Sequence, residues 1–434
     1  MPVVEEEEVL HKAQSWSAMD PNETCSAYVK TMLEKATGND KAAVKEVAAL
    51  FPADNTRIEF GTAGLRAEMK PGPLGMNDLV VVQAAQGIAK YVLQENPDTP
   101  NVCAVIGYDH RKQDALQLSS LSFALLSALV FQEAGMEVIL LHHRPNDGYV
   151  MTPLVPFTLG QIPKAKVGIM ITASHNPKQD AGYKVYWKNG CQIRPPVDKG
   201  IADSILRNLQ PWKDYGAVLK TRREQHKDDP CLGLANKKVT ADMVKEYYEA
   251  IQSRLVTGQA KLLDDKDWNP PKIAYTAMHG IGHVFAVHSF ETFGLQPFHA
   301  VPSQCPIDAE FPTVPFPNPE EKGALDLAQA FCIDKNLDVI LANDPDADRL
   351  AVAEKDRATG DWTVFTGDQI GTMLGCWLYE TIGKASSKVR RTTVSVMKVV
   401  CMNRFTNRLH VMCFSPCPCV VRPSLPKCWP RLAK

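Results

Sequence analysis

Four short apolar runs in this chain each stop in a loop too polar and irregular to be a simple turn, and no other feature narrows the possible folds as much. Residues 102–106 (VCAVI) end in Gly107-Tyr108-Asp109-His110-Arg111, and residues 167–171 run straight into Thr172-Ala173-Ser174-His175-Asn176-Pro177. Residues 272–276 meet Ala277-Met278-His279-Gly280, and residues 338–342 enter Asn343-Asp344-Pro345-Asp346-Ala347-Asp348-Arg349. Apolar runs this short read as strands buried on both faces. Helical patterns lie between them: residues 116–133 read as a helix stopped by Gly135 as a left-handed cap, then a strand at 138–141, while the helix after Gly280 ends at Gly294. Strands alternating with helices predict an α/β fold, and in such sheets ligands bind at the carboxyl edges of the strands. All of the irregular loops sit at that edge.

At 434 residues the chain is too long for one small module and predicts two to four domains. Its 45% hydrophobic and 22% charged residues suffice for a large core. With 48 Lys+Arg against 49 Asp+Glu, it has no global field to hold nucleic acid or an anionic membrane, so an anionic ligand must be met locally. The first sixteen residues carry four consecutive glutamates where a secretory signal needs basic and then apolar residues, so a cytoplasmic protein is expected. The most apolar helical stretch, 123–131, is about half the length of a membrane span. Of the 12 cysteines, seven are scattered between Cys25 and Cys376 without paired spacing and are expected to be reduced thiols.

Residues 1–50 are helical in pattern. Polar stretches near 212–240 and 356–362 read as domain boundaries. After Glu380 there is no acidic residue, and residues 399–434 hold six Lys+Arg, five Pro and five Cys. Prolines at 416, 418, 423, 426 and 430 forbid a helix and deny a central strand its donors, so this tail is expected to be disordered. Cys413, Cys417 and Cys419 match no paired zinc spacing.

Asp344, Asp346 and Asp348 alternate with Pro and Ala, so in an extended loop three carboxylates can converge on one hard cation, Mg²⁺ or Ca²⁺ rather than zinc. An EF-hand needs Gly at its sixth position and Glu at its twelfth, where this loop has Arg349 and Lys355. The competing reading is a solvated acidic turn, but three like charges repel unless neutralised, and this loop joins two apolar runs. A Mg²⁺ site with Arg349 beside it for a phosphate accounts for both facts. Ser174 ends a buried strand in a tight turn, where backbone N–H groups can meet an anion. It is no G-x-S-x-G elbow, because positions 172 and 176 are Thr and Asn. Gly182-Tyr183-Lys184 brings a lysine within a loop's reach of the same edge. Gly61-Thr62-Ala63-Gly64-Leu65-Arg66 is a glycine-rich loop matching neither P-loop nor G-x-G-x-x-G. His279 and His283 are four apart but lack the Glu of H-E-x-x-H.

Taken in chain order, Gly61–Arg66, Thr172–Pro177, Asp344–Arg349 and Gly367-Asp368-Gln369 resemble the loops of the α-D-phosphohexomutase superfamily. Residues 168–187 and 343–355 look specifically like its phosphoglucomutase-2/phosphopentomutase branch, which includes a similar glucose-1,6-bisphosphate synthase. The resemblance covers about residues 55–397. It implies tandem α/β domains with mixed sheets: a helical extension at 1–50, a phosphoserine-loop domain at 51–235, a metal-loop domain at 236–357, the start of a third domain at 358–398, and an atypical tail at 399–434. The fourth domain is absent. It also implies that Ser174 is phosphorylated, that its phosphoryl oxygen joins Asp344, Asp346 and Asp348 in a Mg²⁺ site, and that a sugar bisphosphate is activator and intermediate. Arg66 and Lys184 would tune proton transfer, His175 would orient the serine, and Ser174, His175, Arg66, Lys184, Asp348 and Arg349 would bind the phosphosugar. The expected activity interconverts sugar 1-phosphate with 5- or 6-phosphate, in a monomer without nucleic-acid or membrane partners. The family's sugar-reading F-E-E-x-x-G loop and R-T-S-G-T phosphate clamp are missing, so the alternatives are a non-catalytic or unstable fragment that at most binds phosphosugars, or a bisphosphate synthase. Ala181 stands where the branch expects Asn, a change expected to loosen the loop holding Lys184.

Overall fold

A computed structural model describes residues 3–38, 40–61, 64–255, 270–356 and 358–381. Thr62 and Ala63 of the glycine-rich loop, and the expectations for residues 382–434, including Cys413, Cys417 and Cys419, lie outside the described residues. The strands in chain order are β1 (Leu65–Glu68), β2 (Cys103–Tyr108), β3 (Lys112–Gln113), β4 (Leu118–Ser119), β5 (Glu137–Leu140), β6 (Ala165–Ile171), β7 (Asp180–Trp187), β8 (Ile273–Thr276), β9 (His299–Ala300), β10 (Val339–Asn343), β11 (Leu350–Lys355) and β12 (Trp362–Phe365).

Ten of them form two five-stranded mixed sheets on one plan, in the orders β1-β7-β6-β2-β5 and β12-β11-β10-β8-β9, and β3 pairs with β4 alone. In the first, β5, β2 and β6 are parallel, and the chain returns antiparallel from β6 as β7, with β1 antiparallel beyond. In the second, β9, β8 and β10 are parallel, β11 returns antiparallel from β10, and β12 follows. The Ser174 loop fills the β6–β7 joint and the triple-Asp loop fills the β10–β11 joint, so sheet topology puts both at carboxyl strand ends.

One core packs the helices Val3–Met19, Glu23–Thr37, Lys41–Leu50, Asp78–Gln94 and Ser120–Glu133 against the first sheet, so the N-terminal helices share a core with that sheet. A second core joins the other face of this sheet to helix Lys237–Leu255, to Phe285 on helix Gly282–Thr292, and to Ala347 in the triple-Asp loop. The second sheet alternates: Val339 and Leu341 face one core, and Ile340 and Ala342 the other. No helix among the described residues is long and apolar enough to cross a membrane.

The helix expected from residue 116 starts at Ser120 instead. Residues 112–119 form the β3–β4 hairpin around a 3-10 turn at Asp114–Leu116, and Ser119 closes a capping box with Ser122. A hydroxyl that can satisfy a free helix N–H outcompeted propensity there. The polar stretch near 212–240 contains helix Tyr215–Gln225 and is tied down beyond it. Asn236 exchanges hydrogen bonds with Leu140 at the β5 edge, both 2.9 Å. Cys231 Sγ lies 3.2 Å from His142 Nδ1, which Tyr108 Oη approaches at 3.0 Å. Buried Cys25, Cys103, Cys231, Cys305 and Cys332 form no disulfide.

Candidate active site

The two joint loops face each other and touch. Ser174 is buried, with φ of 54° in the left-handed region, and its Oγ donates to Asp344 Oδ2 at 2.7 Å. Such a backbone costs a non-glycine residue roughly 1–2 kcal/mol, and Thr172 Oγ1 helps hold it by accepting from Ser174 N at 2.9 Å. Lys184 is on β7, paired across from Met170, and not in a loop. Its ammonium donates to Asp346 Oδ2 and Asp348 Oδ2, both at 2.7 Å. Ala181 pairs with Ala67 inside the β1–β7 ladder and is fully buried. The expected loosening is therefore corrected: at 181 a small side chain packs within a sheet that fixes Lys184.

Oxygens of Asp344, Asp346 and Asp348 lie within 4.8 Å of one another. Burial and the neighbouring charges of Asp346 and Asp348 push the Asp344 carboxyl well above its usual range. Burial also works against ionised Asp346, yet Lys184 and the Thr152 hydroxyl hold it below that range. Burial and then Asp346 raise Asp348. Lys184 is held above its ordinary value because Asp346 and Asp348 outweigh the burial that opposes them. Thr152 Oγ1 donates to Asp346 Oδ2 at 2.6 Å, while Asp346 Oδ1 is buried without a hydrogen-bond partner. An all-oxygen donor set with one orphaned buried carboxylate oxygen is what a hard divalent cation would complete.

Arg349 N donates to Asp344 Oδ1 at 3.0 Å, and its half-exposed guanidinium has Nε 3.9 Å from Asp344 and 4.0 Å from Asp348. Asn343 spans the base of the loop, accepting from Tyr275 Oη at 2.8 Å and donating to the Arg349 carbonyl. Gly280 lets the His279 loop lie against Asp344's neighbour, since a Cβ there would stand 2.3 Å from the Pro345 Cα. Arg66, exposed on β1, donates to Asn176 Oδ1 at 3.0 Å. Gly64, at φ of 82° and with space for no Cβ against the Tyr183 carbonyl, seats that strand on β7. His175 packs edge-on to Phe316, and its buried Nδ1 has no partner. Burial, then Arg349 and Arg66, lower its pKa to about 4.

Arg111 was missed as a site residue although its strand-end loop stood out. It is fully buried, and its guanidinium donates to the carbonyls of Ser174 and Asn176 at 2.7 Å each, of Pro177 at 2.7 Å and of Asp180 at 3.1 Å. Asp109 Oδ2 lies 3.6 Å from its Nε. The signal was an Asp-x-Arg at the end of a buried strand, where a paired charge has to serve something. Thr152 had no comparable signal. His279 and His283 do not pair: His279 Nε2 meets Thr313 at 2.7 Å, and His283 lies tilted to Tyr275 and edge-on to Phe298. Gly367-Asp368-Gln369 starts helix Gly367–Thr381, where Thr366 and Gln369 cap each other reciprocally.

Residues 57–211 match the family model for phosphoglucomutase/phosphomannomutase, alpha/beta/alpha domain I, and residues 245–360 match that for domain II. The chain is 41% identical over 372 residues to a phosphoribomutase of Saccharomyces cerevisiae, covering 84% of this chain and 55% of that protein. It is 41% identical over 371 residues to a human phosphopentomutase, with 84% and 55% covered, and 37% identical over 334 residues to a human glucose 1,6-bisphosphate synthase, with 76% and 50% covered. The chain thus spans about half the length of the curated relatives it matches. A solved phosphoglucomutase/phosphomannomutase family protein from Burkholderia thailandensis shares the fold, with a TM-score of 0.53 at 18% identity over 74% of this chain and 58% of that one.

Proposed function

The chain belongs to the phosphoglucomutase/phosphomannomutase family, and on that premise we propose that it transfers a phosphoryl group within a phosphosugar, between position 1 and position 5 or 6, through Ser174 and a sugar bisphosphate. The observation that carries this reading is the 2.7 Å contact of Ser174 Oγ with Asp344 at the meeting of the two joint loops. That hydrogen bond fixes where the hydroxyl hydrogen points and leaves oxygen lone pairs for an incoming phosphorus. Asp344, Asp346 and Asp348, with phosphorylated Ser174, would hold Mg²⁺, which would supply neutralisation of charge on the phosphoryl oxygens. Lys184 fixes Asp346 and Asp348 in place. Arg349 and Arg66 offer cationic groups at the exposed rim, suited to a sugar phosphate, and His175, lowered to about 4, is neutral at physiological pH and available to orient the serine. Domains at 51–235 and 236–357 and a monomeric cytoplasmic protein belong to the same proposal.

The test is incubation with glucose 1,6-bisphosphate and Mg²⁺, followed by mass spectrometry of the peptide holding Ser174. Phosphate on that serine, lost in Ser174→Ala, supports the proposal. Labelling that survives the substitution, or none in the wild type, overturns it. Assays with glucose 1-phosphate and ribose 1-phosphate then separate hexose from pentose preference.

A further inference from the structure

The second sheet reaches the Ser174 loop by a route other than the triple-Asp loop. After β9, residues 301–318 leave the second sheet and run as a strap over the strand-end loop that carries His110 and Arg111. Phe311 is its inner anchor, 1% exposed. The ring lies 5.2 Å under the Arg111 guanidinium and 5.3 Å from the His110 ring, meeting the latter edge-on. Its own backbone has φ of 47°, which a bulky side chain rarely adopts and which persists only where the surroundings impose it. Asp308 imposes it in part, its carbonyl accepting from Phe311 N at 3.2 Å and its Oδ1 from Glu310 N at 2.9 Å. Two further contacts of the strap fall on the serine loop itself. Glu310 pairs with exposed Lys178, and Phe316 packs on His175 at 5.8 Å.

We propose that Phe311 is a positioning residue for Ser174, acting through Arg111, so that docking of the strap sets the geometry of the serine loop. The proposal rests on the reading of Ser174 as phosphoryl carrier. Arg111 spends four N–H···O bonds on the carbonyls of residues 174, 176, 177 and 180. A planar guanidinium serves them together only in one orientation, and the π face of Phe311 fixes that plane. His110 packs edge-on against the same ring.

The experiment uses the full chain with Phe311→Leu, which keeps apolar volume but removes the ring face, and Phe311→Tyr, which keeps it. Hydrogen exchange is read at the amides of residues 174–180 and, as a control, across helix Ser120–Glu133. Phosphoryl uptake from glucose 1,6-bisphosphate and Mg²⁺ affinity are measured alongside. Phe311→Leu should speed exchange in the loop by about tenfold or more with the control helix unchanged, because only a local opening has become easier. Uptake at Ser174 should fall by about a hundredfold, as small misplacements of a reacting group do, with Mg²⁺ affinity unchanged. Phe311→Tyr should behave as wild type. Should Phe311→Leu not fold, Glu310→Gln detaches the outer anchor without touching the core and should speed exchange in the same loop by a smaller factor. Wild-type exchange and uptake in these variants, or loosening of the control helix in equal measure, overturns the proposal. If wild-type protein takes up no phosphoryl, the functional reading falls, and the exchange data alone decide the role of Phe311.

Discussion

The β6–β7 joint and the β10–β11 joint occupy the same place in two sheets of one plan, yet they are stabilised by opposite means. The serine loop is held from below by a borrowed cation: Arg111, from the neighbouring strand end, binds four of its carbonyls and is itself fastened by Asp109 and Phe311. The triple-Asp loop's backbone is held by neutral groups, from within by Asn343, by Arg349 N on Asp344 and by the Ala347 amide on the Asp344 carbonyl, and from outside by the Thr152 and Ile281 amides on the carbonyls of Asp346 and Pro345. A loop with one neutral nucleophile can rest on a buried cation. A loop with three carboxylates needs its positive charge on the reacting side, where Lys184 supplies it and a divalent cation would add to it.

The sharpest break in this symmetry is Ser174→Ala, expected to abolish phosphoryl uptake from a hexose bisphosphate while leaving the triple-Asp loop and its Mg²⁺ affinity within a small factor of unphosphorylated wild type. Mass spectrometry and calorimetry on the same preparation check both halves. Next comes support. Arg111→Ala strands Asp109 as an uncompensated buried charge, a loss of about 3–5 kcal/mol in denaturant unfolding. The counterpart, Asn343→Ala, strands no charge and should cost about 1–3 kcal/mol. Equal costs would dissolve the contrast between cationic and neutral support.

Acid should loosen the serine side through His110. Burial, with Arg111 adding to it against the pull of Asp109, lowers its pKa to about 4 from an ordinary 6.5. The unfolded chain therefore binds the extra proton between those values, and stability falls as pH drops from about 6.5 to 4, by about 3 kcal/mol in all. His110→Phe should flatten this part of a stability–pH curve. Smallest is Asp348→Asn at the rim of the other joint, expected to weaken Mg²⁺ binding by about tenfold, or about 1.4 kcal/mol. Unchanged affinity in calorimetry would return that loop to a solvated acidic turn.

What could be read in advance was whatever depends on period and punctuation. Residues 167–171 and 338–342 were legible as strands because both faces are buried and the runs end in Ser/Asn/Pro or Asp/Pro signals. The alternating carboxylates of 344, 346 and 348 were legible as a converging set. The start of helix Ser120–Glu133 was not, because a capping box at Ser119 decided it over a sequence whose apolar residues begin earlier. Lys184 was legible only as a lysine within a loop's reach of the same edge, not as a strand residue. In the sheet, Gly182 lies where a Cβ would meet the Thr172 carbonyl at 2.5 Å, so the glycine marks close approach of two strands. Arg111 and Phe311 are 200 positions apart, and no local pattern joins them.

The seam between residues 229–236 and the first sheet carries its own clock. Cys231 is inaccessible, its thiol pushed up by burial and lodged against His142 and Tyr108, so a maleimide can reach it only while the segment is lifted off β5. The rate at which the Cys231 peptide acquires label therefore counts openings of the connection between the two sheets. Labelling that slows when glucose 1,6-bisphosphate is added would mean that what is gripped at the joint loops is felt as tension at the opposite end of the connector, and one native thiol would report it without any engineered probe.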